Sequence, residues 1–162
     1  MSPKHKKLIQ EIENAFSDVL YPGETKLALF AEGRGNEEAE KLRNDFAHKH
    51  WKSVPLDVLI SNRNNLPFLT PEAFHFYLPA FMIAILLHPK EVGTLSNNTV
   101  FKLSPPEPTE QLGNLFQTLT HLLSPSQILT VQSFLKAYTE LFPTALNFEE
   151  PLREAIKFWG DH

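Results

Sequence analysis

Thr70-Pro71-Glu72-Ala73-Phe74-His75-Phe76-Tyr77-Leu78-Pro79-Ala80-Phe81-Met82-Ile83-Ala84-Ile85-Leu86-Leu87 is the stretch that decides how this chain folds. Thr70 suits an N-cap, since its hydroxyl can accept from a free backbone N–H, and Pro71 follows where a missing N–H removes nothing. From Phe74 to Leu87 every residue except His75 is apolar or aromatic. A helix that is apolar all round has no face for water, so it sits in the middle of a packed fold or in a membrane. The 14 residues of the run span about 21 Å as a helix, short of a bilayer core of roughly 30 Å. Pro79 lies inside it and is expected to kink it, by removing a hydrogen bond and crowding the carbonyl one turn earlier. His88-Pro89 ends it. The reading is a buried central helix of a soluble protein.

Other helices are expected around it. Before it, Leu8, Ile12, Ala15, Phe16 and Val19 form a helical stripe over Pro3 to Val19, closed by the turn Tyr21-Pro22-Gly23. Leu27 to Ala31 fits either a strand or an extended packed segment. Gly33-Arg34-Gly35 breaks the chain, and Asn36 caps a helix whose first turn carries Glu37, Glu38 and Glu40 and which is expected to reach about His50. Ser53-Val54-Pro55 starts a short helix with Leu56 and Leu59 inward, and Asn62 to Pro67 is a polar turn.

After the central helix, Lys90 to Pro108 reads as a long connection, with Thr99 to Leu103 as a possible short strand. Thr109 caps the next helix, which buries Leu112, Leu115, Phe116, Leu119, Leu122 and Leu123. Ser124-Pro125-Ser126-Gln127 is a capping box with proline at its first helical position. Pro143 stops that helix, and a last one carries Leu152, Ala155, Ile156 and Trp159. The expected fold is mainly α. It is a single compact, irregular helical domain over residues 1–162, with six or seven helices around the Pro-kinked central helix and two short strand-like segments.

Composition narrows the function. The chain has 162 residues, 42% of them hydrophobic, which is enough for a real core. Its 13 Phe far outnumber its 3 Tyr and 2 Trp, a bias toward packing. With no cysteine, disulfides, thiolate metal sites and a cysteine nucleophile are excluded. A formal charge of -4 opposes general nucleic-acid binding, which needs a basic face. Met1 to Lys7 is polar and basic, so no export signal is expected, and the chain is read as cytoplasmic.

Leu69-Thr70-Pro71-Glu72-Ala73-Phe74, continued through Tyr77-Leu78-Pro79-Ala80-Phe81, resembles the signature of a family of bacterial proteins known only as a domain of unknown function. Tyr21-Pro22-Gly23, Trp51, Leu123-Ser124-Pro125-Ser126-Gln127 and the pair Phe134-Leu135 are similar to further pieces of it. The resemblance runs from about Ile12 to Leu141. It implies a small bacterial globular domain and no particular activity. Some relatives carry cysteines in the region equivalent to Phe30 to Glu40, and a metal role built on those thiols does not transfer to this chain.

The residues offer five candidate chemistries. Asp45-x-x-His48 and Glu72-x-x-His75 each place a carboxylate and an imidazole on one helical face, with His50 near His48. Pairs of Glu-x-x-His helices build di-metal sites, but further inward carboxylates are needed and none is evident. Ser53, Ser104 and Ser124 read as caps or turns, not as nucleophiles, since no Gly-x-Ser-x-Gly elbow is present. Gly33-Arg34-Gly35-Asn36 precedes a helix, yet Glu37 and Glu38 would repel a phosphate there. His48-Lys49-His50-Trp51-Lys52 mixes basic and aromatic residues, against an overall acidic charge. Arg34, on a glycine-flanked loop, and His50, Trp51, Phe68 and Phe148, at or near element ends, are candidate partner contacts. No catalytic residue and no cofactor is assigned. The expected function is a non-enzymatic protein-binding accessory, adaptor or immunity-type inhibitor whose partner is another protein, neither nucleic acid nor membrane. The alternative is a helical metal-binding protein or metal-dependent enzyme using Asp45, His48, Glu72 and His75.

Overall fold

A computed structural model describes residues 1–30, 36–107 and 110–162, leaving out the side chains of 110–112 and 148. Among the described residues there are nine α-helices: α1 (Pro3–Ala15), α2 (Asn36–Phe46), α3 (Leu56–Ser61), α4 (Pro71–Leu87), α5 (Leu95–Leu103), α6 (Glu110–Leu122), α7 (Pro125–Leu141), α8 (Ala145–Phe148) and α9 (Glu150–Gly160). Short 3-10 turns at Glu24–Lys26, Trp51–Ser53 and Leu66–Phe68 join them.

The central helix lies where its composition requires. Nearly every residue of α4 from Pro71 to Leu86 is buried, and the helix runs unbroken through Pro79. Thr70 caps it, accepting from the Ala73 N–H at 3.0 Å. Helices α1, α5, α6 and α7 pack on it, as does the turn at Trp51–Ser53, while α9 lies against α5 and α7. The buried apolar side chains form one connected cluster, with Phe16, Phe46, Phe74, Phe81 and Phe134 fully enclosed. Here the excess of phenylalanine is used as packing, with Phe81 near the rings of both Phe46 and Phe74. No described helix is long and apolar enough to cross a membrane.

Buried polar groups fasten helix ends to α4 and to each other. The Tyr77 hydroxyl lies 2.8 Å from the carbonyl oxygens of both Phe46 and Lys49, which closes the end of α2. The Trp159 indole N–H of α9 donates to the Leu103 carbonyl at the end of α5, at 2.7 Å. These bonds satisfy end carbonyls that a helix leaves free.

Several expectations change. Thr99 to Leu103 is not a strand but the second half of α5, and the Lys90–Pro108 connection contains that helix. Leu95, Thr99, Val100 and Leu103 are buried at helical spacing, and the Thr99 hydroxyl bonds back to the Leu95 carbonyl. Ser96-Asn97-Asn98, poor helix formers, masked the period. Leu27–Ala31 forms no named strand over its described part: Ala28 makes an isolated antiparallel bridge with Leu69. The first helix stops at Ala15 rather than Val19, where the Ser17 hydroxyl takes the Asn14 carbonyl and Gln127 takes that of Ala15. Helix α2 stops at Phe46 rather than His50, because His48 adopts a left-handed conformation with φ 62°. The Gly33-Arg34-Gly35 breaker and the Thr109 cap lie outside the described residues.

Candidate functional site

Three stretches that stand far apart in the chain meet at one cleft. The segment Asp18 to Pro22, the first turns of α4 and the start of α7 enclose about 410 Å³, with Lys26 and Leu122 completing the walls. Tyr21-Pro22, Glu72 and His75, and Gln127 all line it.

His75 forms the floor. It is buried, beside the Phe16 ring at 6.0 Å between centroids. Its Nε2 is 2.8 Å from the Gln127 Oε1, an acceptor, so Nε2 carries the proton. Burial pushes the imidazole pKa below its ordinary 6.5, against a smaller upward pull from Gln127. The ring is therefore neutral at pH 7.

Gln127 is positioned by the capping box that the sequence announces. Its N–H donates to the Ser124 hydroxyl at 3.3 Å, and its Oε1 accepts from the Ser124 N–H at 3.0 Å. Its Nε2 donates to the Ala15 carbonyl at 3.0 Å. One amide thus joins the end of α1, the first turns of α4 and the start of α7. The Tyr21 hydroxyl accepts from the His48 N–H at 3.0 Å, and the Tyr21 ring stands edge-on to Phe76. The rim is mixed: Leu20 is 86% exposed, next to the charges of Asp18, Lys26 and Glu72.

The model of the family of unknown function DUF6714 matches residues 4–162. The chain belongs to DUF6714. No curated protein and no solved structure matches it. Membership in DUF6714 bears out a family of unknown function, and the match covers nearly the whole chain.

The four candidate metal ligands of this DUF6714 chain do not converge. Glu72 and His75 share the cleft, but the Nε2 of His75 is held by Gln127. Asp45 accepts from Lys41 at 2.6 Å and from Asn62 at 2.9 Å. Burial would raise its pKa, but those bonds, with the charges of Lys41 and Lys49, hold it below the usual carboxylate value. His48 lies beyond the end of α2, not on its face, and reaches Glu24 at 3.3 Å. Among the described residues no three His, Asp or Glu side chains gather closely enough to hold a metal ion.

The candidate partner contacts also scatter. Trp51 is 3% exposed, with Lys52 over its ring. Phe68 is half-buried against the core, and His50 is exposed, its Nδ1 accepting from the Lys52 N–H. Phe148 lies in α8 with its side chain outside the description, and Arg34 is outside the described residues altogether. Leu20 was missed by sequence reasoning. Its signal is that it falls off the stripe of Leu8, Ile12, Phe16 and Val19, so no helical face buries it.

Proposed function

We propose that this chain is a non-enzymatic bacterial protein that binds another protein, as an accessory, adaptor or immunity-type inhibitor, through the cleft above His75. The observation that carries the reading is Leu20, 86% exposed at the rim of that cleft. A leucine in water forgoes roughly 1.5–3 kcal/mol that burial would return. Isolated exposed leucines are common, but Leu20 stands with Val19, Tyr21, Pro22 and Leu122 around one depression. Apolar groups interleaved with the charges of Asp18, Lys26 and Glu72 around one depression suit a protein contact.

The chemistry of His75 supports binding over catalysis. Its one hydrogen-bond partner among the described residues is the amide of Gln127. A general base must reach the proton it removes, and no described hydroxyl is bonded to this imidazole. The net charge of -4 favours a basic partner and fast, salt-sensitive association. The absence of cysteine fits a reducing cytoplasm.

The test is affinity capture with the wild-type chain and with Leu20→Asp, followed by binding measurements on the purified partner. One dominant protein whose affinity falls about tenfold or more with Leu20→Asp is the expected result. Equal binding by the variant, or no protein captured at any salt concentration, would overturn the reading.

A further inference from the structure

A second depression flanks the same start of α4, on the side of Pro71 and Phe74 instead of Glu72 and His75. It encloses about 200 Å³ between α4, α5 and α6. Its walls are almost wholly apolar, with Phe74, Phe101, Leu115, Phe116 and Leu119 among them. One cation stands within this lining, that of Lys102. Its Nζ is 5.3 Å from the centre of the Phe74 ring and has a long contact, 3.4 Å, to the Leu69 carbonyl. It forms no ion pair with a described carboxylate. Glu107, exposed at the same mouth, is likewise unpaired with it.

An ammonium ion loses much of its hydration on burial and regains stability from an anion. A ring face and one stretched carbonyl contact replace only part of that hydration. Burial accordingly pulls the Lys102 pKa down to about 8, so the group is still charged at pH 7. The walls select the rest of the ligand. A cavity of about 150 Å³ holds a benzene ring, so this slightly larger one has room for a ring and a small anionic group. A phosphate or sulfate dianion would need several donors, and the site offers one cation among apolar walls.

We propose that this groove binds a small free monocarboxylic acid with one aromatic ring or a short alkyl tail. The carboxylate sits on the Lys102 ammonium and the tail lies among Phe74, Phe101 and Leu119. The site is separate from the protein-binding cleft, and Phe101, 59% exposed in the free chain, would cover the tail.

The probe pair is phenylacetate and its neutral amide, phenylacetamide, titrated into the full wild-type chain and followed by methyl NMR. Phenylacetate is expected to shift the methyls of Leu115 and Leu119 and to bind at least about tenfold more tightly than the amide, because a charge-assisted hydrogen bond is lost in the latter. Lys102→Met is expected to abolish that preference while keeping the aliphatic stem on Phe74. Lys136→Met, on an exposed lysine of α7, is expected to keep it. Equal affinity for acid and amide in the wild type would overturn the proposal, as would shifts confined to other residues or no binding in the millimolar range. The wild-type comparison stands even if a variant fails to fold.

Discussion

His75 of α4 and Gln127 of α7 are bonded side chain to side chain at 2.8 Å across 52 positions of sequence. The same glutamine closes the capping box with Ser124 and holds the last carbonyl of α1. The cleft above His75 therefore has its floor fixed by three helices at once, which would give the proposed contact at Leu20 and Tyr21 a stable base.

Replacing Gln127 by Leu keeps its own N–H on the Ser124 hydroxyl but leaves the Nε2 of His75, the Ser124 N–H and the Ala15 carbonyl without their partner. A loss of about 2–4 kcal/mol is expected, from a helix cap and buried hydrogen bonds together. Urea unfolding of the variant checks it. Gln127→Glu should instead raise the His75 pKa, read by NMR titration, because a carboxylate favours the imidazolium.

Stability should depend on pH through His75. Its folded pKa lies below the unfolded value of about 6.5, so below that pH the unfolded chain binds more protons than the folded one. Stability attributed to the neutral ring is full above pH 6.5 and is lost as pH falls toward the folded pKa. Urea melts at pH 7.5 and 5.5 are expected to show a drop in the wild type that is smaller in His75→Phe.

Lys102 has the same sign in another window. Its pKa falls from 10.5 to about 8 on folding, so the half-buried charge weighs against the fold at neutral pH, and stability rises as pH climbs from 8 toward 10.5. Lys102→Met keeps the stem and removes the charge. It is expected to stabilise the chain at pH 7 by roughly 1–3 kcal/mol, seen as a higher urea midpoint at unchanged slope.

Phe81→Ala tests the core. The ring is fully buried among Phe46 and Phe74, and its loss is expected to cost about 3–5 kcal/mol. A loss under about 1 kcal/mol would mean that α4 is not the centre of the fold.

The helical fold was readable because its strongest signals are local. Thr70-Pro71 and the Ser124 to Gln127 box mark helix starts by chemistry confined to four residues, and the apolar run after Phe74 has no other soluble solution. Helix α5 was missed because Ser96-Asn97-Asn98 interrupt a stripe that tertiary burial completes. The end of α2 was missed because the groups that fix the chain there are distant in sequence: the Tyr77 hydroxyl donates to the Phe46 and Lys49 carbonyls, and the Tyr21 hydroxyl accepts from the His48 N–H. Glu72 and His75 line one cleft, but nothing local to them points to Gln127. Nothing local to Lys102 announces its setting, which depends on α4 and α6 lying beside it.

The most direct measurement is a photo-crosslinker placed at position 20, compared with one at Leu129, which is also exposed at 61% but does not line the cleft. In cells the account predicts one discrete crosslinked product from position 20, weakened by high salt in lysate and absent from position 129. No product from position 20, or the same products from both, would contradict a protein-binding cleft above His75.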